Sequence, residues 1–229
     1  MEWITTRPVA HRGLHQGTAV PENSLAAFEA AIAANHPIEL DVQLLADGHL
    51  AVFHDRDLKR LTGYKGRIAD QTLGDLGEFR LFGTDQTIPS LAATLACIGG
   101  RVPLLIEIKN EKKVGPPERA LVKTLAGYRG EFAVQSFNPR SLQWLRYQAP
   151  TIARGQLASK PQPFLRSHLL LSWASAPHFI AYNVKALPTL STTLARHHFN
   201  RPLLAWTVRS QNDLERASQY ADNYIFDPF

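Results

Sequence analysis

The sequence is poor in sulfur: of 229 residues, one is cysteine (Cys97) and one is methionine. A lone cysteine excludes an internal disulfide framework and fits a reducing compartment. Its apolar, helical surroundings mark Cys97 as a core residue rather than a nucleophile. No apolar run approaches the roughly 20 residues needed to span a bilayer. The opening segment, Met1-Glu2-Trp3-Ile4-Thr5-Thr6-Arg7-Pro8, lacks the apolar core of a signal peptide. Stable membrane insertion is therefore not expected, and a cytoplasmic location is. Basic residues do not cluster with interleaved aromatics, so nucleic acid is not the expected partner. There is no internal repeat and no low-complexity tract.

What is present is a globular composition, 45% hydrophobic and 20% charged, with a net charge of +5 that suits an anionic substrate. The length is normal for one α/β barrel. The stretch that organises the chain is Ile38-Glu39-Leu40-Asp41-Val42. On a strand, residues i and i+2 point to the same side. Glu39 and Asp41 thus aim one way while Ile38, Leu40 and Val42 enter a packed layer. Paired like charges are costly unless a cation or strong donors meet them. A strand with one solvated face would show the same spacing. A second apolar run ending in charge, Leu104-Leu105-Ile106-Glu107-Ile108-Lys109, favours a built site.

Read in order, the chain alternates strand and helix. Strands are expected at Val9–Ala10, Ile38–Val42, 103–108, 132–137, 152–157, 179–183, 203–208 and 224–226. Helices are expected from Asn23 or Ser24, and over 90–98, 116–128, 139–148, 164–173, 190–198 and 211–219. Ala46-Asp47-Gly48-His49 is a hairpin turn that sends Leu50–Phe53 back antiparallel and brings His54 beside the acid strand. Residues 55–90 form a long irregular insertion with two short helical patches at most. Eight strand–helix units in one chain of this length predict a closed (β/α)8 barrel, one domain over 1–229. The chain ends straight after the eighth strand, so the last helix is missing. The N-terminal segment or a partner chain, as in a homo-oligomer, is expected to cover its place.

In such a barrel the charged strand ends share one face. His11 and Arg12 follow the first strand, Glu39 and Asp41 end the second, His54 follows the hairpin, and Glu107 and Lys109 end the third. Three carboxylates there suit one hard divalent cation, Mg²⁺ or Ca²⁺. Two histidines can divide acid and base duties, and Arg12 and Lys109 offer donors to a phosphate. Polar rim residues satisfied by one another are the plainer alternative, but seven converging ionisable groups disfavour it. Gln135 could hydrogen-bond a substrate and Trp206 could stack on one. Asp55 either orients His54 or starts the next turn.

His11-Arg12-Gly13, Pro21-Glu22-Asn23-Ser24, Glu39-Leu40-Asp41-Val42, Asp47-Gly48, His54-Asp55, Glu107-Ile108-Lys109, Gln135-Ser136-Phe137 and Trp206-Thr207-Val208 occur in this order. The ordered set resembles the glycerophosphodiester phosphodiesterases. That resemblance implies a TIM barrel that hydrolyses glycerophosphodiesters to glycerol 3-phosphate and an alcohol. It implies Glu39, Asp41 and Glu107 as metal ligands, His11 and His54 as the catalytic pair, and intramolecular attack through a cyclic phosphate. The insertion would shape the substrate pocket. Related readings are a lysophospholipase D-like activity, which would call for an exposed apolar rim, and a non-catalytic phosphate-binding barrel. Two departures from the family pattern stand out: Ile225-Phe226-Asp227-Pro228 replaces the usual Thr-Asp-Xaa-Pro, and Arg209 stands where Asn is usual.

Overall fold

The computed structural model describes residues 1–110, 113–159 and 174–229. The helix expected over 164–173 lies outside these residues. The barrel strands are β1 (Val9–His11), β2 (Ile38–Leu44), β4 (Leu104–Ile108), β5 (Phe132–Ser136), β6 (Arg154–Ala158), β7 (Phe179–Asn183), β8 (Leu203–Val208) and β9 (Asn223–Phe226). Each pairs with the next in parallel, and β9 pairs with β1, closing an eight-stranded parallel barrel. Strand β3 (Leu50–Val52) stands outside the ring as an antiparallel return on β2, with Val42 opposite Val52 and Leu44 opposite Leu50.

The period of two along each strand sorts the side chains into two layers. Ile38, Leu40, Leu104, Ile106 and Val134 face outward and pack against helix residues such as Phe28, Leu95, Leu121 and Leu142. Val9, Leu105, Ala133, Leu204 and Ile225 belong to a separate inner cluster. Phe179 fills much of that interior, and Gly155 makes room for it: a Cβ at 155 would lie 2.0 Å from the Phe179 ring. Outer helices begin where the sequence supplies caps. Ser24 Oγ accepts from the Ala27 N–H at 3.1 Å, and Ser90 Oγ accepts from Ala93.

Three expectations need correction. The N-terminal segment forms a short helix, Trp3–Thr6, but does not lie over the outer face of the last strand. Trp3 and Ile4 are buried in the inner cluster, and Asn223, the first residue of β9, donates to the Ile4 carbonyl at 2.9 Å. The segment therefore plugs the barrel at the N-terminal ends of its strands. The outer side chains of β9, Tyr224 and Phe226, stay half-buried, with the His36 ring edge against Phe226.

The second correction concerns residues 55–90. They hold four helical pieces, Lys59–Thr62, the single 3₁₀ turns Ile68–Asp70 and Leu81–Gly83, and the two-turn 3₁₀ helix Leu73–Glu78. Such short pieces carry no 3.6-residue periodicity to read. Their apolar residues, Leu58, Leu61, Ile68, Leu76 and Leu81, pack on Ala51 and Phe53 as a small core of their own. Third, Cys97 is only half-buried, and its Sγ donates to Glu29 at 3.3 Å. Among the described residues no helix is long and apolar enough to cross a membrane.

Candidate active site

The site lies where the inward-facing positions turn from apolar to polar, at the C-terminal ends of the strands. Register sets the polar ring. Glu39 is level with His11, Asp41 with Glu107, and Glu107 with Gln135. Carboxylate oxygens of Glu39, Asp41 and Glu107 lie within 4.8 Å of one another, and all three side chains are buried.

The turn after β1 brings cations to these acids. Arg12 (φ 57°) and Gly13 (φ 80°) are both left-handed. At 13 only glycine fits, because a Cβ would lie 2.7 Å from the Ala27 carbonyl. So reversed, Arg12 donates its backbone N–H to Glu39 at 3.2 Å and Nη1 to Glu22 at 2.6 Å, with Nε 3.3 Å from Asp41. Lys109 Nζ sits 3.0 Å from Asp41 and 2.7 Å from Glu107. Asn23 does not cap the helix beginning at Leu25. Its Nδ2 donates to Asp41 at 2.9 Å.

Burial would raise every acid of this group, and the cations decide which one yields. Burial and the charges of Asp41 and Glu107 push Glu39 well above the ordinary carboxyl range. Burial raises Glu107 to about 7 despite Lys109. For Asp41 the Lys109 and Arg12 charges outweigh burial and hold the carboxyl well below its usual range. Conversely, Asp41 and Glu107 keep the buried Lys109 amine above its ordinary value. Three buried carboxylates sharing two cations leave a demand for more positive charge. The donor set, oxygen only and converging, fits a hard divalent cation.

An imidazole stands on either side. His11 Nδ1 lies 2.6 Å from Asp227, whose carboxylate also takes His15 Nε2 at 3.2 Å and Arg209 Nε; the other nitrogen of His11, Nε2, is 4.0 Å from Glu39. Burial would raise Asp227, but the His11, His15 and Arg209 contacts hold it far below the usual range. His54 Nδ1 lies 2.8 Å from Asp55, which Arg60 grips together with Glu22. Burial lowers both imidazoles, offset in part by Asp227 at His11 and by the Asp41 charge at His54.

Sequence reasoning missed two residues here. The sequence pattern marks Asp227 only as a departure at the strand end, because its partner His11 is 216 positions away. Gln43 continues the Glu39–Asp41 alternation, a signal that could have found it. Its Nε2 lies 2.8, 3.2 and 2.7 Å from the carbonyls of Phe53, His54 and Asp55 and fixes the backbone that carries His54.

These groups surround a cavity of about 200 Å³. One wall is charged: His11, Arg12, Glu39, His54, Glu107 and Lys109. The other is neutral: Gln135, Phe137, Leu157, Trp206 and Ile225. Trp206 sits in a bulge where β8 carries one residue more than β9, between Ala205 and Val208. Its ring meets Phe137 edge-on at 5.5 Å. A second cavity, about 370 Å³, adjoins the first and shares His54 and Lys109 with it.

A closed parallel barrel with acids, bases and histidines gathered at the C-terminal ends of its strands is a (β/α)8 barrel laid out as an enzyme's. The chain belongs to the Glycerophosphoryl diester phosphodiesterase family, whose sequence profile matches residues 11–226. It is 33% identical over 229 residues to a glycerophosphodiester phosphodiesterase of Caldanaerobacter subterraneus subsp. tengcongensis, covering 93% of this chain and 90% of that protein. Its fold is similar to that of a phosphodiesterase from Oleispira antarctica, solved in complex with the product sn-glycerol-3-phosphate. That match has a TM-score of 0.84 and 25% identity and covers 96% of this chain and 92% of the other. A glycerophosphodiester phosphodiesterase from Thermotoga maritima matches with a TM-score of 0.75 at 25% identity, over 96% of this chain and 93% of that one.

Proposed function

We propose that this protein hydrolyses glycerophosphodiesters to glycerol 3-phosphate and an alcohol. In this reading Glu39, Asp41 and Glu107 hold one divalent cation, Mg²⁺ or Ca²⁺, and His11 and His54 move the protons. The observation that carries it is the gathering of three buried carboxylates, within 4.8 Å of one another, in one site with two carboxylate-bound imidazoles. When bound, the cation supplies charge to draw electron density from the phosphoryl oxygens and acidifies a nearby hydroxyl.

The side chains account for the rest. Asp227 and Asp55 each face an Nδ1 and fix the tautomer, leaving each Nε2 free for proton transfer. His11 accepts the proton of the glycerol 2-hydroxyl, and that oxygen attacks phosphorus. The bond from phosphorus to the head-group oxygen breaks, and His54 gives its proton to the departing alkoxide. Water then opens the cyclic phosphate with the two roles exchanged. Attack from within the same molecule avoids much of the entropy of bringing two reactants together. Arg12 and Lys109 hold the phosphoryl oxygens and stabilise the charge that builds on them. Gln135 and Trp206 bound the substrate on the neutral wall.

The direct test is release of glycerol 3-phosphate from glycerophosphocholine, glycerophosphoethanolamine and glycerophosphoglycerol, with and without added metal. Metal-dependent release from at least one is expected. Release from none would overturn the reading.

A further inference from the structure

Arg60 lines neither cavity, yet it is bound to two carboxylates that each hold a working group of the site. Its Nε lies 2.5 Å from Asp55 Oδ2 and its Nη1 3.0 Å from Glu22 Oε2. Its Nη2 stands between the two acids, 2.9 Å from Asp55 Oδ1 and 2.7 Å from Glu22 Oε1. The oxygens that meet Nη2 are the ones that reach the site. Asp55 Oδ1 also lies 2.8 Å from His54 Nδ1, and Glu22 Oε1 accepts from Arg12 Nη1 at 2.6 Å. An unbroken chain of contacts thus runs from His54 through Asp55, Arg60 and Glu22 to Arg12, whose Nε ends it 3.3 Å from Asp41.

The backbone behind Arg60 is fixed. It sits in the short helix Lys59–Thr62, and Leu58 and Leu61 on either side are buried in the core of the insertion. The side chain itself is 44% exposed, and ion pairs at such exposure add little to stability. What this chain of contacts supplies is geometry. A planar guanidinium with donors in fixed directions can span two carboxylates at once, which a single ammonium cannot. We propose that Arg60 is a positioning residue that aims the proton donor and the phosphate-holding guanidinium together. Through Asp55 it sets the His54 ring, and through Glu22 it sets Arg12. The inference rests on the proposed diester hydrolysis, in which His54 protonates the departing alkoxide and Arg12 holds the phosphoryl oxygens. It places one residue of the insertion behind both.

The test separates the two arms by the leaving group. Choline departs as an alkoxide that needs a proton, whereas 4-nitrophenolate leaves without one. Turnover of glycerophosphocholine therefore draws on both arms, and turnover of the 4-nitrophenyl diester of glycerol 3-phosphate draws on the Arg12 arm alone. In the metal-loaded protein Arg60→Met is expected to lower kcat/KM about tenfold for the choline diester and about threefold for the nitrophenyl diester. Arg60→Lys, which keeps the charge and loses the fork, is expected to do the same. Calorimetric affinity for glycerol 3-phosphate should fall about threefold in both variants, with thermal unfolding close to that of the parent. His54→Ala is the reference and should slow the choline diester far more than the nitrophenyl diester. Three results would overturn the proposal: equal proportional losses on the two diesters, parental rates in Arg60→Lys, or parental affinity for glycerol 3-phosphate in Arg60→Met. Should Arg60→Met fail to fold, Arg60→Lys carries both comparisons. Failure of the parent to release glycerol 3-phosphate, or a His54→Ala loss equal on both diesters, would instead strike the functional reading beneath it.

Discussion

The two imidazoles of the site are held in opposite ways. His11 is the deeper, its side chain 12% exposed against 32% for His54. Its carboxylate partner comes from the far end of the chain, across the seam where β9 meets β1. The partner of His54 is its own neighbour, Asp55, which Arg60 of the insertion clamps while also binding Glu22. Glu22 bonds Arg12, and Arg12 lies against Asp41. One flank thus depends on barrel closure. The other depends on a surface ion-pair chain reaching the acids through the insertion. The difference teaches that similar imidazole–carboxylate pairs can be set up by long-range topology or by local sequence, with different sensitivities to mutation.

The most severe way to break the comparison is to remove what both flanks serve. Chelation with EDTA is expected to reduce activity to background, and Mg²⁺ or Ca²⁺ to restore it. Full turnover by exhaustively chelated protein would exclude a metal role. Next, His11→Ala and His54→Ala should each cost at least about a hundredfold in kcat, with thermal unfolding close to that of the parent. A near-parental rate in either would remove that ring from the chemistry.

The orienting acids should then separate the flanks. Asp227→Asn is expected to slow turnover by about ten- to a hundredfold, since it disturbs the tautomer of a buried ring. Asp55→Asn should cost only about a few-fold, because Asp55 is the more exposed of the two carboxylates and its ring, His54, is the more exposed imidazole. Equal losses would end the distinction.

The smallest effect is one of pH. Glu39 and Glu107 sit above the ordinary carboxyl range, so the metal-free site holds protons that a cation must displace. Cation affinity should therefore rise with pH through neutrality and fall as the site is acidified. Calorimetry in buffers of differing ionisation enthalpy would record the released protons. Binding with no proton release would contradict it.

Much of this site could be read from residue order. Glu39 and Asp41 share a face by the arithmetic of a strand, and Ile38, Leu40 and Val42 do pack outward. The apolar run before Glu107 placed that acid at a strand end. Asp227 escaped because nothing local to residue 227 announces a histidine at position 11; only closing the sheet brings them together. The plug made by Trp3 and Ile4 escaped for a related reason, since four residues of helix are too few to show a periodic face. In the insertion Leu58, Leu61, Leu76, Phe79 and Leu81 turn inward to a small core of their own while Tyr64 and Phe82 stay exposed, a sorting that residue order without a helical or strand period does not give.

Gln43 grips the three carbonyls around His54 from β2, not from the segment that follows. The His54 backbone is therefore tethered upstream of the stretch that walls the larger cavity. A lineage could redraft much of residues 61–90, and with them the wall of that cavity, while inheriting a histidine whose main chain is already anchored. The wall of the larger cavity and the anchor of the imidazole would then be able to change at different speeds.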